Sequence, residues 1–284
     1  MKLERIKKKL YELSKGWSLL PFQLTINIAN TCNRRCRMCP NHSPDLVEDW
    51  YQFWWRAQPN FMDYDKFEVF MKRMGLFNFF IRQISFTGRG ETLLHKDILK
   101  FCKLANIYRI RFNITTNGDK LTAELEYELA KLSYLNYVRV SLFDVEQADY
   151  WFTRQRISPI QIRIENVTGK HVEGLKDGFL VSNNKGTDKY STLPIGFVKE
   201  SFCRAPFSFN TINTDGSLVT CITFIEVGNV FHESWWKCWN GKKMRLHRMN
   251  AMDFKIPEHM AFCRDCGYFL NNSKNDYWKL NKNG

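Results

Sequence analysis

No run of 18 apolar residues occurs anywhere in the 284-residue chain, so nothing in it reads as a membrane span. The N-terminal stretch is basic but has neither a long apolar core nor a small-residue cleavage site, which argues against a secretory leader. Without such a leader, nine cysteines do not read as a disulfide framework. They point to a reducing, cytoplasmic setting and to metal or redox chemistry. Acidic residues are also scarce: 29 Asp and Glu stand against 42 Lys and Arg, a formal charge of +13. That balance favours anionic partners, whether phosphorylated substrates, nucleotides, nucleic acid or a membrane surface, without choosing among them.

A chain of this length can bury one large core, or one core and a satellite. Part of the basic excess lies in residues 1–16, where Leu3, Ile6, Leu10 and Leu13 form a helical stripe opposite Lys2, Arg5, Lys7, Lys8 and Lys9. A basic helix over residues 1–19 is expected, packed on the end of the main domain or lying at a membrane surface. The Lys/Asn-rich residues 271–284 read as a flexible tail.

Between these ends, strands alternate with helices. Residues 23–30, 84–87, 111–116, 137–143 and 160–165 have the β-branched content and period-two alternation of strands. Helical patterns fall at 64–74, 97–105 and 122–132. This order argues for an α/β fold with a parallel sheet and crossover helices, where chemistry sits at the C-terminal ends of the strands. Two strands carry a polar face. Gln161, Arg163 and Glu165 oppose three isoleucines, and Arg139, Ser141 and Phe143 oppose Val138, Val140 and Leu142. If the aliphatic faces meet the helices, these polar groups line the lumen and are candidates for substrate contact. Residues 41–59 form an insertion rich in aromatics, including Trp50, Tyr51, Phe53, Trp54 and Trp55. It can either cover the neighbouring cysteine loop or pack on the sheet edge.

That loop directly follows the first strand and reads Cys32-Asn33-Arg34-Arg35-Cys36-Arg37-Met38-Cys39-Pro40. A structural zinc site wants four tetrahedral ligands, and the loop offers three cysteines with His42 nearby. Three thiolates instead suit a cubane 4Fe–4S cluster that keeps one iron free of protein ligands. After the second strand comes Thr87-Gly88-Arg89-Gly90-Glu91, glycines that allow close backbone approach beside a carboxylate that can receive an ammonium group.

Together, Cys-x3-Cys-x2-Cys after one strand and Gly-x-Gly-Glu after the next resemble the radical S-adenosylmethionine (SAM) superfamily. The resemblance implies a partial (β/α)6 barrel of the TIM type. It also implies that Cys32, Cys36 and Cys39 hold the cluster whose open iron chelates SAM. One electron, from a donor such as flavodoxin or ferredoxin, then cleaves SAM to methionine and a 5′-deoxyadenosyl radical. By the same resemblance Gly88, Gly90 and Glu91 bind the SAM amino group, Met38 meets adenine through its backbone, and Asn117 and Ser141 supply further SAM contacts. Arg89 is a departure from the family's usual Gly-Gly-Glu.

The pattern changes after residue 200. Cys203 and Cys221 flank a hairpin signal, Asn213-Thr214-Asp215-Gly216, and Cys263 and Cys266 follow after a helical stretch at 233–240. Four such cysteines suit a zinc site or a closed second 4Fe–4S cluster. The stretch is similar to the Twitch/SPASM extensions of radical SAM enzymes, which implies an auxiliary 4Fe–4S cluster on these four cysteines. The expected domains are then a barrel over 20–190 and an auxiliary domain over 191–270. Cys102 and Cys238 fit neither set and read as ordinary thiols.

In size and layout the chain is similar to the short dehydrogenases of this family. That implies oxidation of a small polar substrate, such as a cyclitol, amino sugar or sugar nucleotide, with the auxiliary cluster as electron acceptor. Lys185, Arg163 and Glu165 are the candidates for handling the substrate proton. Where relatives carry Asn-Arg-Ala-Gly, this chain has Asn184-Lys185-Gly186, and a lysine cannot repeat a bidentate contact. Peptide modification or epimerisation is the alternative enzyme reading. A zinc module docking nucleic acid is the non-catalytic one, with nucleic acid the less favoured partner.

Overall fold

The computed structural model describes residues 23–36, 39, 41–44, 58–75, 78, 81–167, 172–173, 175, 205–220 and 225–253. Residues 1–19, 271–284 and most of the aromatic insertion lie outside this set. The first half alternates strand and helix: β1 (Gln23–Ile26), α1 (Tyr64–Met74), β2 (Gln83–Phe86), α2 (Ile98–Ile107), β3 (Arg111–Thr116), α3 (Ala123–Ala130), β4 (Leu135–Leu142), α4 (Ala148–Ile157) and β5 (Ile162–Asn166), of which all but α4 were expected. The second part comprises α5 (Ala205–Ser208), β6 (Phe209–Ile212), β7 (Ser217–Thr220), β8 (Ile225–Asn229), α6 (Trp235–Asn240) and α7 (Lys242–Asp253).

All eight strands form one sheet in the order β5-β4-β3-β2-β1-β6-β7-β8. Strands β1 to β5 are parallel neighbours in sequence order, the core of the expected barrel. A sixth barrel strand would fall within residues 168–204, outside the described set apart from three residues. The C-terminal part continues the same sheet: β6 runs parallel to β1, pairing Gln23 with Phe209 and Ile26 with Ile212. Strands β7 and β8 then turn back antiparallel through the anticipated hairpin. Pairing with β6 removes what would otherwise be an open edge on β1, with its row of unpaired backbone groups.

Local chemistry explains the elements. Helix α1 starts where the Asp63 carboxylate accepts from Lys66 N at 3.1 Å and stops at Gly75, whose φ is 50°. It buries Phe67, Phe70, Met71 and Met74, spaced i, i+3, i+4 and i+7. Thr122 caps α3 by accepting from Leu125 N at 3.2 Å. On the helix side of the sheet Leu24, Ile26, Ile84, Phe86, Phe112, Ile114, Val138, Val140, Leu142 and Ile162 are buried against Phe67, Phe101, Leu129 and Trp151 of the helices. Fully burying one such side chain contributes about 1.5–3 kcal/mol. The alternate positions face the other way and are polar, which creates the lumen.

Strand β1 is shorter than the expected 23–30. Past Ile26 the backbone changes partners. Asn27 N donates to Ile212 O at 2.8 Å, Met62 N to Ile28 O at 2.9 Å, and Gly90 N to Ala29 O at 3.0 Å. The side chains of Asn27 and Asn30 turn inward and bond each other at 3.2 Å. The chain thus leaves the ladder just before the cysteines. Among the described residues no helix is long and apolar enough to cross a membrane.

Candidate functional site

A cavity of about 680 Å³ opens at the C-terminal ends of β1 to β5. That volume lies in the ordinary range for small-molecule sites. Cys32, Cys36 and Cys39 line one wall, together with Gly88, Gly90, Glu91, Asn117, Ser141 and Glu165. The fold therefore gathers at one place residues that the sequence spreads over more than 130 positions. Met38, Lys185, Cys203, Cys221, Cys263 and Cys266 lie outside the described residues. Arg163, also proposed for the substrate, is exposed and does not line the cavity; its guanidinium lies 3.9 Å from the centroid of the Tyr137 ring.

The three thiols are free and half-buried. Arg34 N donates to Cys32 Sγ at 3.4 Å, and Asn41 N and His42 N donate to Cys39 Sγ at 3.4 and 3.3 Å. Backbone N–H groups aimed at sulfur suit thiolates that carry negative charge. Burial, and next the neighbouring cysteines, push the Cys36 thiol above its ordinary value; Cys32 is raised chiefly by burial, with Glu91 and Cys39 adding to it. Deprotonation of Cys32 and Cys36 is therefore favoured by a cationic centre beside them. Among the described residues no three His, Cys, Asp or Glu side chains converge on a single-ion site. A structural zinc wants four ligands where the loop supplies three, whereas three thiolates suit a cubane cluster that keeps one iron open. This donor set fits a 4Fe–4S cluster with one open iron.

Glu91 lines the same cavity. It is 3% exposed. Its Oε1 accepts from Thr116 Oγ1 at 2.6 Å and Leu93 N at 2.9 Å, and its Oε2 accepts from Asn117 N at 2.7 Å. An ionised carboxylate offers about four acceptor positions, so one remains on this cavity-lining residue. Burial holds the Glu91 carboxyl above the usual range, with these hydrogen bonds pulling it back. A desolvated carboxylate in that state is suited to an incoming ammonium group.

Glycine is required at position 90. Gly90 N and Glu91 N bond Ala29 O and Thr31 O at 3.0 and 2.8 Å, lacing this segment to the chain that enters the cysteine loop. A Cβ on Gly90 would stand 2.2 Å from Thr31 O. Gly88 packs on the Asn27 side chain, whose Oδ1 accepts from Arg89 N at 3.2 Å, so Arg89 is accommodated without displacing Glu91.

Several site residues had not been singled out from sequence. Asn33 and Arg34 bond Asp119, two residues past Asn117. Lower in the lumen Gln23, Thr25, Gln83, Ser85, Asn113 and Tyr137 line the cavity, beside Arg139, which the polar face of its strand had already marked. Strand alternation is the signal that would have found the lumen residues; nothing local signals Asp119. Arg139 reaches Glu165 at 3.5 Å.

The three cysteines, the buried carboxylate in the same cavity and the parallel strand ends define a radical SAM site, and comparison with known families agrees. A family model for the radical SAM superfamily matches residues 26–176, and one for an iron–sulfur cluster-binding domain, SPASM, matches residues 203–267. The chain belongs to the radical SAM superfamily. Its core implies a 4Fe–4S cluster and SAM, and its SPASM domain implies auxiliary iron–sulfur clusters. These matches set aside the reading as a non-catalytic zinc module.

A tungsten-containing aldehyde ferredoxin oxidoreductase cofactor-modifying protein of Pyrococcus furiosus is 29% identical over 109 residues, 38% of this chain. The match spans 27% of that relative's length. Among solved structures, BtrN in complex with AdoMet and 2-DOIA shares 18% identity at a TM-score of 0.62, covering 84% of this chain and 89% of BtrN. Streptococcus suis SuiB bound to precursor peptide SuiA shares 16% identity at 0.60, covering 95% of this chain and 75% of SuiB. At these identities the likeness is one of fold.

Proposed function

We propose that the protein dehydrogenates a small, hydroxyl-bearing polar molecule, such as a cyclitol, amino sugar or sugar nucleotide, in the reducing cytoplasm. The carrying observation is the lumen wall. Below the SAM-facing residues it presents Gln23, Thr25, Gln83, Ser85 and Asn113, and then Tyr137 and Arg139, with Glu165 level with Ser141. A wall of hydrogen-bonding groups suits a hydroxylated guest better than an apolar one. The overall likeness to BtrN, a 2-deoxy-scyllo-inosamine dehydrogenase, supports the same direction.

When bound, the first cluster supplies the electron that splits SAM into methionine and the hydrogen-abstracting 5′-deoxyadenosyl radical, and the auxiliary cluster offers a sink for the electron lost by the substrate. The chain's own residues do the rest. Cys32, Cys36 and Cys39 hold the first cluster; Cys203, Cys221, Cys263 and Cys266 hold the auxiliary one. Glu91 receives the SAM ammonium, the glycine segment keeps the backbone close, Met38 meets adenine, and Asn117 and Ser141 bind the remaining polar groups. Glu165, on the lumen wall, takes the proton of the substrate hydroxyl; Lys185 is the second candidate. A guanidinium stays protonated and cannot accept that proton, so Arg163 serves by packing on Tyr137. Arg139 lends the lumen its positive side and suits an anionic substituent. Flavodoxin or ferredoxin supplies the electron.

The test is anaerobic incubation of the reconstituted enzyme with SAM, dithionite and candidate substrates. Formation of 5′-deoxyadenosine with a matching yield of ketone supports the reading; reconstituted clusters without 5′-deoxyadenosine overturn it. The likeness to SuiB in complex with a peptide favours a second reading, peptide modification. In that case 5′-deoxyadenosine would rise with peptides and no ketone would form.

A further inference from the structure

Tyr137 sits on β4, 7% exposed as a residue, on the wall of the cavity. Its phenolic oxygen accepts from Asn113 Nδ2 at 2.9 Å and from Arg139 Nη2 at 3.2 Å. Asn113 is its register partner on β3, so sheet pairing sets the first contact. The other arm of Arg139 reaches Glu165, and the guanidinium of Arg163 covers the ring at 3.9 Å. The ring is thus clamped by residues from β3, β4 and β5.

A phenol has two acceptor positions and one proton. An amide NH2 and a guanidinium only donate, so both acceptor positions are occupied. The O–H proton remains, and it has no acceptor among the described residues. A donor on so buried a residue is costly to leave unmatched. Donation by a cation into the same oxygen also makes that O–H a stronger donor. An unmatched, strengthened donor on a cavity wall points to a guest that brings an acceptor.

We propose that the Tyr137 hydroxyl binds the oxygen of the substrate and selects hydroxylated molecules, with Asn113, Arg139 and Arg163 as positioning residues. The inference rests on the reading of this cavity as the substrate lumen. It names one recognition contact within that lumen: Tyr137 donates to the substrate oxygen while Glu165, tied to the same Arg139, stands as the acceptor. A site built to hydrogen-bond a hydroxyl discriminates strongly against an analogue that lacks it.

The experiment uses reconstituted, SAM-loaded holoenzyme under anaerobic conditions. Calorimetry measures binding of three probes: myo-inositol, glucosamine and UDP-glucose. Tyr137→Phe keeps the ring and the Arg163 contact and removes the donor. Expected is a loss of about tenfold or more in affinity for the tightest probe, with SAM affinity and iron content unchanged. Arg139→Met, which removes the cationic donor to the phenol, should approach Tyr137→Phe. Equal probe affinity in wild type and Tyr137→Phe overturns the assignment, as does failure of the wild type to hold any of the three. Cleavage of SAM with dithionite reads separately: if 5′-deoxyadenosine forms but the tyrosine makes no difference, the tyrosine assignment alone fails. If none forms, the proposed function fails.

Discussion

Arg34 and Asp119 join the cysteine loop to the turn after β3 as a two-pronged ion pair. Arg34 Nε donates to Oδ2 at 2.7 Å, and Nη2 donates to Oδ1. Asn33 Nδ2 donates to the same Oδ2 at 2.7 Å, and Asn117 Nδ2 donates to Asn33 Oδ1 at 2.9 Å. Because Asn117 N also holds Glu91, the cysteine loop and the carboxylate proposed to receive the SAM ammonium share one turn. Asp119→Asn should therefore loosen the loop relative to Glu91. The expected result is SAM affinity weaker by about tenfold, with a stability loss of only about 1 kcal/mol because the pair is partly exposed. Equilibrium SAM binding and denaturant unfolding measure the two; unchanged SAM affinity would show that the cysteines alone fix the loop.

The same pair gives a pH dependence. The Arg34 guanidinium holds the Asp119 carboxyl below the usual carboxylate range. A depressed folded value means stability that is complete above the unfolded value, about 3.9, and is lost as pH falls through the folded one. The stability gap between wild type and Asp119→Asn should persist from neutral pH down to about 4 and close below it. Unfolding curves at pH 7, 5 and 3 check this, and a gap that closes near neutrality would rule out Asp119 as its source.

Glu91 carries the opposite sign. Burial raises its folded value above that of an unfolded glutamate. Its folded form binds the proton more tightly, so without SAM its contribution to stability falls as pH rises from about 4.3 through the raised value. A bound ammonium should remove that slope by favouring the ionised form. Melting of the cluster-loaded protein with and without SAM, across pH 4–8, is the measurement. The SAM-dependent gain in melting temperature should grow with pH over this window; a flat gain would place the ammonium elsewhere.

How much of this was legible beforehand follows from distance along the chain. The cysteine and glycine–glutamate motifs are local, so spacing displays them. Helix α1 was legible because Phe67, Phe70, Met71 and Met74 keep helical spacing between a capping Asp63 and Gly75. Strand β3 was legible because Phe112 and Ile114 alternate with Asn113 and Thr115. Helix α4 was missed: it buries just Ala148 and Trp151, and its cap residue Gln147 makes no side-chain hydrogen bond. Helix α7 was missed because it opens on Lys242 and Lys243, unfavourable at the positive end of a helix dipole. The Arg34–Asp119 pair spans 85 positions, and the contact between Asn113 and Tyr137 depends on the register of two strands. Neither follows from local pattern.

Gly90 offers a steric test of how closely the two halves of the site meet. A methyl there would lie 2.2 Å from Thr31 O and 2.6 Å from Ala29 O, both backbone atoms that cannot rotate away. Gly90→Ala should cost about 1–3 kcal/mol by overpacking, and should weaken SAM binding through the displaced Glu91. By contrast Arg89→Gly nearby leaves the laced backbone in place. If Gly90→Ala melts and binds SAM like wild type, the lacing between Thr31 and Glu91 is not what sets the site.

Two cysteines should stay silent when the others react. Burial pushes the Cys238 thiol up to about 12 and that of Cys102 higher still, so neither forms thiolate at pH 8. Cys102 has no exposed surface on α2, and Cys238 is 1% exposed on α6 against Gly228. After anaerobic cluster removal, iodoacetamide at pH 8 should label Cys32, Cys36 and Cys39, which line the open cavity, as long as the fold persists. Peptide mapping should find Cys102 and Cys238 unmodified until denaturant is added. Their early labelling would mean that the helix layer opens once the cluster is gone, and that the cluster braces the barrel as well as its own loop.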